Sequence, residues 1–175
     1  MPMRRMPRSA GAVLWGLGHL ALHGLLPFEL SRRPNLVAGA GLDRVAERVA
    51  GLLAVAGGGG LIAWAIATHL ASAPRGWALP PKPEYLLRGG PYRLSRNPMY
   101  VGGAAVWFGW ALFYASPAVW AGLTVFCAST AIAVRWEERW LMEQFGDAYR
   151  AYLAEVPRWL GWSPPPAAGL GRPSS

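Results

Sequence analysis

The chain has 175 residues, 53% of them hydrophobic and 15% charged, and a formal net charge of +8. Soluble domains of this size hold about 25% charged residues, so long uncharged stretches make up the difference, as in an integral membrane protein. One cysteine excludes an internal disulfide, and basic residues gathered at the ends of apolar runs point to lipid headgroups rather than nucleic acid.

The length implies a single domain, residues 1–160, followed by a tail at 161–175 that its composition marks as disordered. A first apolar span is expected from Ala10 to Leu30. It follows Arg4, Arg5 and Arg8, but it is long, interrupted by polar residues and lacks a small-residue cleavage site, so it reads as a retained helix and not a signal peptide. His19 and His23 stand one turn apart inside it. With no third ligand beside them they read as packing residues, and no metal is expected. Leu42 to Arg48 reads as an interfacial lead-in to a second span, Val49 to Ala71. Gly57-Gly58-Gly59-Gly60 within that span suits close helix approach, with a ligand groove as the alternative.

A third span is expected from Pro98 to Ala115 and a fourth from Pro117 to Trp136. Each span is near the roughly 20 residues that cross about 30 Å of hydrocarbon, the third being the shortest. Lys and Arg number thirteen in the N-terminus, the 72–97 loop and the segment from Arg135, against four in the 31–48 loop and none at Ala115–Pro117. That asymmetry puts both termini in the cytoplasm. Most tryptophans, among them Trp64, Trp107, Trp120, Trp136 and Trp140, fall near span ends, as an aromatic belt requires. Beyond Glu137, Leu141, Phe145, Tyr149, Tyr152 and Val156 recur at spacings of three and four, the pattern of an amphipathic helix lying on the membrane or over a site. The fold class is therefore all-α: a polytopic membrane bundle of about four transmembrane helices plus a C-terminal amphipathic interfacial helix.

Chemistry concentrates at the feet of the last hairpin. Asn97-Pro98 has the form of a helix start, Asn as N-cap and Pro where its missing N–H costs nothing. Tyr100 to Ser116 and Pro117 to Glu137 make arms of about 24 and 30 Å at 1.5 Å per residue, so Glu137 returns close to the level of Tyr100. Orphan N–H groups at the helix start, with Arg96, suit a carboxylate or phosphate. Glu137 and Glu138 suit an ammonium or ribose hydroxyls, and Tyr92 and Tyr100 offer π faces to a purine or an onium centre. S-adenosylmethionine carries all of these groups. Taken singly, Asn97-Pro98 is more often a plain cap, and a Glu pair flanked by Arg135 and Arg139 a solvated helix edge.

At these residues the chain resembles the isoprenylcysteine carboxyl methyltransferases and, more distantly, the membrane phospholipid methyltransferases. The resemblance runs over residues 84–158, through Gly90-Pro91-Tyr92, Arg96-Asn97-Pro98-Met99-Tyr100-Val101-Gly102, Glu137-Glu138 with Leu141, Phe145-Gly146-Asp147-Ala148-Tyr149-Arg150-Ala151-Tyr152 and Val156-Pro157. It implies S-adenosylmethionine held by Glu84, Tyr85, Leu86, Leu87, Tyr92, Asn97, Pro98, Met99, Tyr100, Glu137 and Glu138. Asn97 stands where the eukaryotic members have His. It can donate and accept hydrogen bonds but cannot carry a proton. The family's acceptor-contacting residue falls near Ala133, which leaves Arg135 as the nearest cation and the expected catalytic group.

The implied reaction is in-line methyl transfer to a lipophilic acceptor at the cytoplasmic face, whether a carboxylate, a thiol or a lipid amine. Orientation and exclusion of water would do most of the work. No dedicated base stands near Tyr100, which tilts the reading toward an anionic acceptor. Two other readings predict different behaviour. A membrane reductase of similar helical arrangement would bind NADPH. A non-catalytic scaffold would tolerate changes at Tyr92, Tyr100 and Glu137.

Overall fold

The computed structural model describes residues 8–32, 42–72 and 85–160. Their regular structure is entirely helical. Helix α1 (Arg8–Leu20) runs through a π turn (Ala21–Leu25) into α2 (Leu26–Ser31), so the first expected span is one helical path with a widened turn inside it. Long α3 (Leu42–Ser72) takes in both the lead-in and the second span. A 3₁₀ turn (Gly90–Arg93) then precedes α4 (Pro98–Tyr114) and α5 (Pro117–Glu155). Glu84 and the residues from 161 onward lie outside the described residues.

Two helices, α3 from Arg44 and α5, are each long and apolar enough to cross a membrane. Their outward faces carry large apolar side chains. Leu53 is 69% exposed and Val125 67%. Such side chains would forfeit about 1.5–3 kcal/mol each if left in water, so hydrocarbon is the solvent that suits these faces. At 17 residues α4 is about 26 Å long, shorter than the hydrocarbon thickness. It is apolar on every side because it packs between α3 and α5, as an all-round apolar helix must.

The closest packing is antiparallel, between α3 and α4, and glycine makes it possible. A β-carbon on Gly58 would sit 2.5 Å from the Gly102 carbonyl oxygen, and one on Gly102 would sit 2.7 Å from that of Gly58. Gly51 and Gly109 face each other in the same way, two turns along both helices. Of the four consecutive glycines only Gly58 faces α4, while Gly57, Gly59 and Gly60 border open space. Bare backbone at two matched levels lets the helices approach to carbonyl contact, the geometry small residues provide in membranes.

Between α4 and α5 the core is Trp107, Ala111 and Val119, with Leu30, Trp110 and Phe126 packed around it. Gly122 leaves the room that the Trp107 ring fills. The Trp110 indole N–H donates to the His23 carbonyl (2.8 Å), fastening the π turn of the first helical run to α4. His23 itself is buried, edge-on to Phe126 at 5.4 Å. Ala115, in the left-handed region (φ 48°), and Ser116 close the hairpin before Pro117 opens α5.

Helical geometry in α5 breaks at Gly146 (φ 50°, ψ −121°), a conformation that favours glycine. The break turns residues 147–155 back toward the 85–97 segment. Tyr149, Tyr152 and Val156 are buried there against Leu86, Leu141 and Phe145. The periodic apolar positions thus pack over that segment.

Candidate functional site

Five pieces of chain converge at one end of the bundle: the C-terminal turn of α3, the 85–97 segment, the first turn of α4, α5 around Glu137, and the returning stretch from Tyr149 to Arg158. Each is held by a named bond. The Tyr85 hydroxyl donates to the His69 carbonyl (3.1 Å). Gly90 adopts φ 57° over Thr68, where a β-carbon would collide. The Tyr152 hydroxyl donates to the Tyr92 carbonyl (2.6 Å), and the Arg96 amide donates to the Pro157 carbonyl (2.9 Å). Arg88 lies over the Tyr152 ring, 5.6 Å from its centre, and pairs with Glu155 at 2.6 Å.

The convergence encloses a cavity of about 90 Å³, lined by Tyr85, Leu86, Leu87, Tyr92, Asn97, Glu137 and Glu138. His69, Arg96, Leu141, Tyr149 and Tyr152 complete its wall. Tyr100 stands at its edge and hydrogen-bonds Glu137 through its hydroxyl. The two hairpin feet therefore meet, on the same end of the bundle. Burial, then the negative charge of Glu137, push the Tyr92 hydroxyl above the usual tyrosine range, so it remains a neutral donor.

The adjacent glutamates differ sharply. Glu138 is 12% exposed and holds two arginines: Arg96 at 3.1 Å and Arg158 at 2.6 Å. The Arg158 guanidinium makes a forked contact with both carboxylate oxygens, and this bond raises its already high pKa further. Glu137, one residue away, is exposed and faces the cavity. A second groove, of about 540 Å³, meets the cavity at Glu138 and is lined by Arg135, Arg139, Glu143 and Arg158. Arg135 lies there, outside the wall shared by Tyr92 and Glu137.

Asn97 corrects one expectation. Its backbone occupies the N-cap position of α4, but its side chain does not cap the helix. The amide instead donates to the Arg158 carbonyl (2.9 Å), which the Ser95 hydroxyl also reaches (3.3 Å), while the Asn97 N–H donates to that hydroxyl (3.0 Å). Donation of the amide nitrogen to a carbonyl in the irregular tail orients the side chain, and its oxygen takes no hydrogen bond from the helix's first N–H groups. Pro98 is buried beneath it and Met99 is partly buried, and neither lines the cavity. His69 was not among the residues the sequence singled out, and Tyr149 and Tyr152 carried only a periodicity. Nothing in the sequence marked Arg158.

The family model for phospholipid methyltransferases matches residues 46–148, from α3 through α4 to the break in α5. The chain belongs to the phospholipid methyltransferase family. Family membership makes it a membrane methyltransferase, in keeping with the two membrane-length helices. No curated protein and no solved structure matches it. The matched span holds every described candidate residue, and it ends just before the returning stretch that covers them.

Proposed function

We propose that the cavity binds S-adenosylmethionine and that the protein transfers its methyl group to a lipophilic acceptor delivered by the bilayer. The observation that carries this reading is the Tyr100–Glu137 contact beside Tyr92, in a chain of a methyltransferase family. The donor set suits the cofactor. Tyr85, Tyr92, Tyr149 and Tyr152 offer ring faces to a purine or a sulfonium, Leu86 and Leu87 an apolar bed, and Glu137 an accessible carboxylate for an ammonium or ribose hydroxyls. At about 90 Å³ the cavity is smaller than most ligand sites, which run about 300–1,000 Å³. A larger groove, of about 540 Å³, adjoins the cavity at Glu138 and Arg158.

When bound, the cofactor supplies an electrophilic methyl on a sulfonium. The chain contributes position and dryness. Glu137 anchors one end of the ligand, Tyr100 holds the Glu137 carboxylate in place, and the returning helix with Tyr149 and Tyr152 excludes water. Asn97 and Pro98, with Met99, fix where α4 begins and so set the height of Tyr100. Glu138 acts through its two arginines. Arg135 meets the acceptor's polar head from the adjoining groove. Glu84 extends the Tyr85–Leu87 bed. With four spans, both termini and the site would share the cytoplasmic side, the side that the basic residues at this end favour.

The deciding experiment is S-adenosylhomocysteine binding by calorimetry to purified protein. Glu137→Ala should weaken it at least about tenfold, the cost of one charged hydrogen bond, with the thermal midpoint little changed. Unchanged affinity in that variant would sink the assignment.

A further inference from the structure

Methyl transfer to nitrogen needs a lone pair, and an amine in neutral water seldom offers one. An alkylammonium titrates near 10.4, as lysine does, so only about one in a thousand is neutral near pH 7.4. A transferase acting on such an acceptor gains about 10²–10⁴-fold from a positioned proton acceptor. The sequence places none beside Tyr100. The structure brings one from α3, whose last turn carries His69 into the cavity wall with Tyr92 and Glu137.

Tyr85 fixes where His69 stands. Its hydroxyl donates to the His69 carbonyl at 3.1 Å, and the two rings lie 5.6 Å apart at 43°. At about 90 Å³ the cavity holds about three waters of about 30 Å³ each. A group bound in so small a space lies beside its wall residues or one water from them, the reach of a general base. In-line transfer needs the acceptor nitrogen about 3–3.5 Å from the methyl carbon, so the nitrogen enters the same space. The other titratable groups of the wall are engaged elsewhere or unsuited. Glu138 pairs with Arg96 and Arg158, and a guanidinium gives up no proton near neutrality. Glu137 takes the Tyr100 hydroxyl and, in the cofactor reading, the ligand's ammonium or ribose hydroxyls. Tyr85, Tyr92, Tyr149 and Tyr152 are phenols, neutral donors near pH 7, and Asn97 carries no proton. Imidazole is the side chain that takes up and returns a proton near neutral pH.

We infer that His69 is the catalytic base of the transfer, taking a proton from an acceptor that arrives as an ammonium. The inference rests on the methyl-transfer reading of the cavity. One N–H bond breaks as the imidazole takes the proton. The freed lone pair forms the N–C bond, and the C–S bond breaks with its electrons going to sulfur, which leaves as a neutral thioether. The imidazolium returns its proton to water before the next turnover. A carboxylate or thiolate acceptor would need none of this.

The test uses the full chain in nanodiscs with tritiated methyl donor and two amine probes, hexadecylamine and dipalmitoyl phosphatidylethanolamine. At pH 7, His69→Gln should lower kcat at least about a hundredfold, with KM for the amine and S-adenosylhomocysteine affinity little changed. Between pH 7 and pH 9 the native rate should stay level. The variant's rate should climb about tenfold per pH unit, following the fraction of amine that water alone deprotonates. A merely structural role would lower the whole curve in parallel. If His69→Gln fails to bind S-adenosylhomocysteine, His69→Asn is read in its place. Parallel curves, a native rate in the variant, or label in neither amine would each overturn the inference. A native chain that binds no S-adenosylhomocysteine would overturn the cofactor reading itself, and that result is separate because it involves no variant.

Discussion

Neighbouring carboxylates with opposite surroundings do different work here, and substitution separates them. Glu137 is exposed to the cavity and takes one hydrogen bond from Tyr100, whereas Glu138 is nearly enclosed between two guanidiniums. Removing the Tyr100 hydroxyl frees Glu137 to rotate but leaves its charge. Tyr100→Phe should therefore weaken S-adenosylhomocysteine binding by about fivefold, one hydrogen bond's worth, without loss of stability. Glu138→Gln removes the only described carboxylate that pairs with Arg96, whose side chain is 10% exposed. Breaking such a pair costs about 3–5 kcal/mol, and the lower figure applies because Arg158 is 41% exposed and can turn to water. A fluorescence or calorimetric melt should fall well below the Glu137→Ala curve. Equal stability of the two variants would contradict the division of roles.

Helix packing sets where these carboxylates stand, through backbone as much as side chains. Gly58 against Gly102 lies near the site end of the α3–α4 contact and Gly51 against Gly109 two turns away. Gly102→Val must push the helices apart, costing about 1–3 kcal/mol as overpacking and shifting Tyr100, two residues earlier, away from Glu137. The variant should lose thermal stability and cofactor affinity together, whereas Gly57→Ala, facing open space, should lose neither. At the far side of the site, Gly146→Ala forces a side chain into φ 50° and should cost about 1–3 kcal/mol, read as faster proteolysis after residue 146. The helices themselves were legible because apolar run length and rise per residue are local properties. The hairpin arms, computed from that rise alone, bring Tyr100 and Glu137 together. The side-chain partners were not legible. The Asn97 side chain could accept from the first N–H groups of α4 or donate to a distant carbonyl, and the position of Arg158, some sixty residues on, gives it the second role. Glu138 likewise reads as a ligand until Arg158 arrives from the tail.

The assembled helices have two unlike ends. At one end lie the α3 C-terminus, Tyr92, Tyr100, Glu137 and the returning Tyr149–Arg158 stretch. At the other lie the Ala115–Ser116 turn and the paired Arg44 and Glu47 near the α3 N-terminus. Lys and Arg favour the first end heavily, and a methyl donor made in the cytoplasm can reach the cavity only if that end faces inward. On the proposed transfer reaction, that orientation is a functional requirement as well as the expectation from the charge count. In a Cys127→Ser background, Gly89→Cys introduces a thiol at an exposed position with nothing within 4 Å of its β-carbon, beside the cavity. Pro117→Cys places one at the exposed start of α5, on the opposite end. A membrane-impermeant maleimide added to intact cells should modify the second and spare the first, with the pattern exchanged in inside-out vesicles. Modification of Gly89→Cys from outside intact cells would put the cavity on the side without methyl donor, and the transferase reading would fall with it.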